Sequence, residues 1–339
     1  MRIEQAKSGM ILTEDIIDDR SNLLLEKGMA LTERYIHQLK RLGFTLLPAI
    51  DPQAPVCKPA PVISTGLRRE LTSCFRTLFA MKTAAFLTPK LQKIQIRQIH
   101  QTTDRVISEI ETNLPQILSV QVRQPDPDEV NHAINVCLLS VITGFGLKLS
   151  RPVLSDLAMG ALLHDLGKSI LPMVDHKLVN SPRLHTLYGK NLLLNHKLHP
   201  VIARIAAEHH EMYDGSGYPL GLTGSDMHPL SRIVAVANYF DNALKQAETG
   251  GTPRQEVVED MLASGNTQFD LKVLRTFLHT VTIHPVGSLI CLNTGQQAYV
   301  LENHPQSPLR PLIRMKDETA AIIDLIDKPT ILITGFIEE

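Results

Sequence analysis

Leu157-Ala158-Met159-Gly160-Ala161-Leu162-Leu163-His164-Asp165-Leu166-Gly167-Lys168 carries the strongest indication of fold class. An apolar run at helical spacing closes on an adjacent imidazole and carboxylate, followed by a glycine and a lysine. Helical bundles hold their chemistry between facing helices. A buried helix that ends in His-Asp therefore points to an all-helical scaffold with a site at the helix end. Such a pair can give a nitrogen and a bridging carboxylate to neighbouring metals, while a nearby Lys holds a phosphate as a point charge. Taken alone, His-Asp is a weak signal and reads more readily as a polar helix end.

Downstream, His209-His210-Glu211 runs into Asp214-Gly215-Ser216-Gly217-Tyr218-Pro219. Two successive His side chains at a helix end point in different directions. Both reach one site only if two metals, or a metal and a substrate, lie there. The glycines permit a tight turn with positive φ, and Pro219 fixes its exit. Upstream, His132 lies one helical turn after Asp128, so a shared helix aims both at one point. His185 precedes Gly189 in an apolar helix. These are five His and one Asp over about 80 residues on several helices. Nitrogen and oxygen donors without cysteine suit Fe, Mn, Ni or Zn, and exclude an Fe–S cluster or a thiolate zinc site.

Composition narrows the function classes. The 339 residues exceed the usual span of one domain, so two or three folding units are expected. Lys and Arg number 34 against 35 Asp and Glu, which argues against bulk nucleic-acid binding, DNA included. Aromatics are 4% with no Trp, so stacking platforms for single strands are a poor fit. Hydrophobic residues at 43% suffice for packed cores, and 14 His stand out. Cys57, Cys74, Cys137 and Cys291 are far apart, as in a reducing compartment. Met1-Arg2-Ile3-Glu4-Gln5-Ala6-Lys7 lacks the apolar run of a signal peptide, and no stretch approaches ~18 apolar residues. The expectation is a cytoplasmic protein without membrane insertion.

Residues 1–50 read as a small α+β unit. Ile11 to Ile17 and Leu23-Leu24-Leu25 look like short strands around Asp18-Asp19-Arg20-Ser21-Asn22. Thr32 to Leu42 offers an N-cap, helical periodicity and Gly43 as a stop. Residues 51–66, with Pro52, Pro55, Pro59 and Pro61, read as a linker. Helical periodicity dominates 67–280, broken at Gln124-Pro125-Asp126-Pro127 and at 214–219. After Val281 the texture becomes β-rich, with strands expected at 287–292, 297–301 and 330–334.

His164-Asp165-Leu166-Gly167-Lys168, with His209-His210-Glu211-Met212-Tyr213-Asp214-Gly215-Ser216-Gly217-Tyr218-Pro219, resembles the HD-GYP family of metal-dependent cyclic di-GMP phosphodiesterases. Both motifs occur in the family's order and separation, and the resemblance covers roughly 67–280. Gly9-Met10-Ile11-Leu12 through Gly28 resembles the small domain that often precedes HD-GYP modules. Pro285-Val286-Gly287 resembles the β-rich end they often carry. The fold implied is mainly α: an HD-type helical bundle with an α+β N-terminal domain and a short β-rich C-terminal segment. The resemblance implies His164, Asp165, His185, His209 and His210 as metal ligands, with Asp165 bridging. His132 matches the ligand of members that hold a third metal. Lys168 would contact the scissile phosphate. Asp214, Gly215, Gly217, Tyr218 and Pro219 would form the loop that resembles the surface used for substrate or for diguanylate cyclase (GGDEF) partners.

Three positions depart from the family pattern. Asp128 stands where a Glu is frequent, and it reads equally as an ordinary charge at a helix N-terminus. Asn238, in Val234-Ala235-Val236-Ala237-Asn238-Tyr239-Phe240-Asp241, stands where the family has a late Asp ligand. An Asn carbonyl brings no charge, and Asp241 compensates only if the helix rotates. The family's R-x-Y-[RK] stretch is absent, leaving Lys245 and Arg254 as the bases there. The expected cofactors are two or three divalent metals, Fe or Mn first, with Ni or Zn also compatible. The expected chemistry is hydrolysis of cyclic di-GMP to linear pGpG, with GMP as a further product. The alternative is a degenerate module that serves as a nucleotide sensor or protein-binding scaffold. A third reading is an HD-type hydrolase of another nucleotide.

Overall fold

The computed structural model describes residues 3–12, 15–17, 23–44, 47–50, 60–80, 89–114, 120–121, 128–169, 183–250, 252–304, 306–317 and 319–337. Among these the chain is mainly α-helical. The helices are α1 (Glu33–Arg41), α2 (Thr65–Ala80), α3 (Pro89–Asn113), α4 (Glu129–Gly146), α5 (Arg151–Leu163), α6 (Leu184–Asn195), α7 (Pro200–Glu208), α8 (Pro229–Gly250), α9 (Arg254–Ala263) and α10 (Leu271–Thr280).

Helix α4 is the axis of the bundle because its sequence allows nothing else. Val130, Ala133, Ile134, Val136, Cys137, Leu138, Leu139, Val141 and Ile142 surround it on every side and all are buried. A helix that is apolar all round belongs in a core. Each fully buried Val, Ile or Leu contributes about 1.5–3 kcal/mol of transfer free energy. Helices α2, α3, α5, α8 and α10 pack around α4, and α6 and α7 lie outside α5 and α8. Caps set where the helices begin. Asp128 accepts from Val130 N at the head of α4, and Asp270 accepts from Lys272 N and Val273 N at the head of α10.

The N-terminal unit has its own apolar cluster around Leu12, Leu31, Ile36 and Leu47. Its strands are β1 (Ile11–Leu12) on β4 (Ala49–Ile50) and β2 (Ile16–Ile17) on β3 (Leu23–Leu25), both antiparallel. The turn expected at 18–22 lies outside the described residues, as do residues 51–59 of the expected linker and the break at 124–127. Residues 60–66 are not linker-like. Strand β5 (Ala60–Pro61) pairs in parallel with β6 (Val120–Gln121), and Val62 and Ile63 are buried in the bundle core. Proline density masked an apolar pair that the core uses.

The C-terminal region forms one antiparallel sheet in the order β10-β9-β8-β7-β11: β7 (Leu289–Leu292), β8 (Gln297–His304), β9 (Ser307–Met315), β10 (Ile322–Asp324) and β11 (Ile333–Ile337). Lys27 of the N-terminal unit pairs with Asp324 and Asp327 of this region. No helix among the described residues is long and apolar enough to cross a membrane.

Candidate metal centre

Four helix ends converge beside α4. Helix α5 ends at Leu163, so His164 and Asp165 leave it together. The short turn Leu166–Ser169 carries Lys168, α6 carries His185 in its first turn, and α7 ends on His209 and His210. His132 projects from α4 and Asn238 from α8.

Asp165 is the hub, at 3% exposure. Its Oδ2 lies 3.3 Å from His164 Nε2 and 3.8 Å from His132 Nε2. Its Oδ1 lies 3.3 Å from His185 Nε2 and 3.5 Å from His209 Nε2. The donors therefore fall into two groups that share this carboxylate: Asp165, His185, His209 and His210 on one side, and His132, His164 and Asp165 on the other. One oxygen toward each group is the geometry of a bridging ligand.

The imidazoles are oriented from behind. His164 Nδ1 donates to Ala161 O at 2.6 Å, and His209 Nδ1 donates to Ala206 O at 2.9 Å. His132 Nδ1 donates to Asp241 Oδ2 at 2.8 Å. Each such bond leaves the Nε2 lone pair facing inward, which is how metal-binding His residues are usually held. His164 Nε2 and Asp165 Oδ1 are fully buried without a hydrogen-bond partner, while His185 Nε2 and His209 Nε2 face each other at 3.2 Å. Buried polar atoms left in this state are costly unless something satisfies them. Divalent ions held by nitrogen and carboxylate donors would do so, and the residues fit that group.

Electrostatics agree with this assignment. Burial alone would raise the Asp165 carboxyl, but His164, His185 and His209 outweigh it and hold the group well below the carboxylate range. Burial lowers His209 to about 3, and lowers His210 in the same direction with help from its neighbours His209 and His185. Both stay neutral and able to ligate at physiological pH. Lys168 Nζ reaches Asp165 Oδ2 at 2.6 Å and Glu129 Oε2 at 3.3 Å. Burial would lower its pKa, yet these two carboxylates raise it above the usual lysine value.

The loop after His210 is clamped by a residue to which the sequence reading gave no role. Glu211 is fully buried and accepts from Leu220 N at 2.7 Å and Leu222 N at 3.0 Å. Gly217 packs so tightly that a Cβ would sit 2.2 Å from Met212 N and 2.5 Å from His210 O. The turn positions Tyr218, whose ring stacks on His210 at 4.6 Å between centroids. Burial and the nearby Asp165 charge push the Tyr218 phenol up to about 12, with Lys168 and Arg183 acting against them. The phenol is therefore a hydrogen-bond donor at neutral pH. Asp214 turns outward and accepts from Ser216 N and Oγ, and Pro219 follows Tyr218 at the loop's edge.

Two expectations are corrected. Asp128 does not join His132 at the cluster. As the N-cap residue it turns back onto its own helix start, and its Oδ2 pairs with Arg76 at 3.0 Å. Asp241 needs no helix rotation to matter. It holds His132 from the far side while Asn238 Oδ1, 3.0 Å from His132 Nε2, occupies the near side. Arg254 lies over the Phe336 ring at 3.9 Å, in the C-terminal sheet rather than at the cluster. Glu129, Glu211 and Arg183 were missed. Only Glu211, inside the His-His-Glu motif, had a local signal.

The exposed-charge balance and burial set a pH dependence. His209 and His284 are each held near 3 by burial, against about 6.5 unfolded. Below that value the unfolded chain binds protons that the folded chain refuses, so stability falls with falling pH. Between pH 7 and pH 5 the loss is about 2 kcal/mol for each histidine. Asp165, lowered when folded, keeps its contribution through that window and loses it only in stronger acid. Urea unfolding of the metal-free protein at the two pH values measures the difference; equal midpoints would contradict neutral burial of these imidazoles.

The HD-domain family profile matches residues 142–273, which hold every cluster residue except His132. A protein of Pseudomonas aeruginosa named cyclic di-GMP phosphodiesterase PA4108 is 27% identical, over 88% of this chain and 77% of its own length. A 3'3'-cGAMP-specific phosphodiesterase of Vibrio cholerae is 32% identical, over 34% of this chain and 24% of its own length. Among solved structures, the HDG"Y"P protein Bd1817 of Bdellovibrio bacteriovorus aligns with 82% of this chain and 97% of its own, at 16% identity and a TM-score of 0.47. The His-Asp pair at the end of α5 and the His-His-Glu turn at the end of α7 both lie inside the region that matches the HD-domain family.

Proposed function

We propose that this protein is a metal-dependent phosphodiesterase that hydrolyses cyclic di-GMP to linear pGpG, with GMP as a further product. The observation that carries the reading is one buried carboxylate, Asp165, whose two oxygens face two separate groups of imidazole nitrogens. His185, His209 and His210 with Asp165 would hold one divalent ion, and His132, His164 and Asp165 a second. Fe or Mn suits this hard-to-borderline donor set first, with Ni or Zn compatible. When bound, the ions lower the pKa of water and offset charge on the phosphoryl oxygens.

The chain's own groups do the rest. Lys168, charged and at the mouth of the cluster, would shift from Asp165 to a phosphate oxygen. Tyr218 stays protonated and can donate to the substrate, held in place by its stack on His210 and by the Glu211 clamp. The backing bonds from Ala161, Ala206 and Asp241 keep the imidazoles from rotating, so little reorganisation is needed when substrate binds. The loop 214–219 is the surface offered to a diguanylate cyclase partner. Such a messenger enzyme belongs in the cytoplasm.

The test is anaerobic purification, metal analysis, and assay of cyclic di-GMP hydrolysis with Fe or Mn added, with 3'3'-cGAMP in parallel. Turnover of cyclic di-GMP is expected. A protein that holds two metals and cleaves neither dinucleotide would overturn the enzyme reading in favour of a nucleotide-sensing scaffold. Asn238 is the residue that favours that second reading, since it gives the His132 side a neutral donor. Asn238→Asp is expected to raise metal affinity on that side about tenfold, as a charged oxygen replaces a neutral one. Chelator competition reads this directly. Unchanged affinity would show that position 238 is not a donor.

A further inference from the structure

Helix α2 and Asn131 of α4 line a surface cavity of about 540 Å³. That is the size of a small-molecule site. Arg68, Arg69 and Arg76 line it, with Thr72, Ser73 and further hydroxyl groups between them. Among the described residues the lining itself contains no carboxylate and no aromatic ring, and Asp128 pairs with Arg76 beside it. In a chain with formal charge −1, this is a local concentration of positive charge.

Arg68 is not a casual surface residue. It is only 7% exposed, and its guanidinium donates to Asn135 Oδ1 at 2.8 Å. Asn135 Nδ2 in turn donates to Asp241 Oδ1 at 3.1 Å, and Asp241 holds His132. This buried chain fixes the guanidinium plane at the cavity wall before any ligand arrives. Arg76 is fixed more loosely by Asp128 at 3.0 Å, while Arg69 is exposed one residue beyond Arg68. Arg69 and Arg76 are seven residues apart on one helix face, about 10 Å along its axis. A row of that length gives each of two adjacent phosphates its own guanidinium. Guanidinium forks match phosphate oxygens in pairs, and hydroxyl and amide groups supply neutral donors around them. With guanidinium, hydroxyl and amide groups as its donors, this lining addresses phosphate oxygens.

We propose that this α2–α4 cavity binds a small ligand carrying two adjacent phosphate groups, at a place distinct from the metal centre. The ligand is either inorganic pyrophosphate or a nucleoside polyphosphate, and both present the same chemistry. Nothing in this assignment depends on hydrolysis at Asp165.

Calorimetric titration of the full, metal-free chain with pyrophosphate, GTP and inorganic phosphate tests it. Saturable one-site binding of pyrophosphate and GTP is expected, at least tenfold tighter than inorganic phosphate. Equal affinity for the first two identifies the phosphates as the whole determinant, and tighter GTP binding identifies a nucleotide. Arg69→Gln combined with Arg76→Gln should weaken binding at least tenfold, and Lys168→Gln should leave it unchanged. Arg69→Gln alone, at an exposed position, should weaken it several-fold and guards against misfolding of the double variant, checked by circular dichroism. No binding by any probe, affinity indifferent to Arg69, or loss on Lys168→Gln would overturn the proposal, the last by placing the ligand at the metal centre.

Discussion

Asp165→Asn should strip the protein of bound metal and lower cyclic di-GMP turnover on the order of a thousandfold or more. The effect is geometric before it is electrostatic. The carboxylate presents Oδ2 to His132, His164 and Lys168, and Oδ1 to His185 and His209. An amide keeps one oxygen and puts an N–H₂ group in the place of the other. That group points protons at lone pairs already held inward by the backing bonds on His164 and His209. One of the two donor groups then loses its anionic ligand, and its imidazole lone pairs accept from the amide N–H instead of holding an ion. Lys168 also loses the charge that holds it at the mouth of the cluster. Metal content by atomic emission and product formation by chromatography measure both consequences, with circular dichroism confirming the fold. A variant that keeps two metals and near-normal turnover would remove Asp165 from the mechanism. The side chain is almost the same size, so packing loss cannot explain the expected result.

The parts of this site that were legible in the sequence are those carried by contiguous residues. His164-Asp165 and His209-His210 each sit at the end of one helix, so a short motif already places both side chains. The mainly helical fold was legible for a similar reason, because α4 and α5 announce burial by composition. What could not be read depends on how one helix is rotated against another. Asp128 and His132 share a helical face by spacing, but the capping bond to Val130 N turns Asp128 toward Arg76. Asp241 and Asn238 lie one turn apart on α8, and only the packing of α8 on α4 puts His132 between them. Strand β9 was missed because Pro308 and Pro311 argue against a strand. The ladder to β10 runs over residues 312–314, and beside it Pro311 serves only as an acceptor, from Leu325 N at 3.2 Å, so its missing N–H costs no bond there.

Gly167→Ala should be the most damaging substitution that leaves every ligand in place. A Cβ at position 167 would sit 1.9 Å from His185 O and 2.7 Å from Gly189 N, both backbone atoms of α6. Neither can swing aside as a flexible side chain would. The methyl therefore forces α6 away from the turn that carries Lys168. His185 travels with α6 and leaves its places 3.3 Å from Asp165 Oδ1 and 3.2 Å from His209 Nε2. Overpacking of this severity costs about 3 kcal/mol or more. The expected outcome is a lower melting temperature and loss of the ion on the His185 side, while the His132 side keeps its donors. Gly189→Ala is the matched comparison across the same contact. Its Cβ would meet Gly167 N at 3.3 Å and Ala206 Cβ at 3.8 Å, which small shifts absorb. In mid-helix, alanine also offsets the strain by its better helix propensity, worth up to about 1 kcal/mol. Thermal melts and metal stoichiometry for the two variants side by side should differ sharply. Equal behaviour would mean that the turn and α6 are not packed as closely as their glycines permit, and that His185 is not placed by this contact.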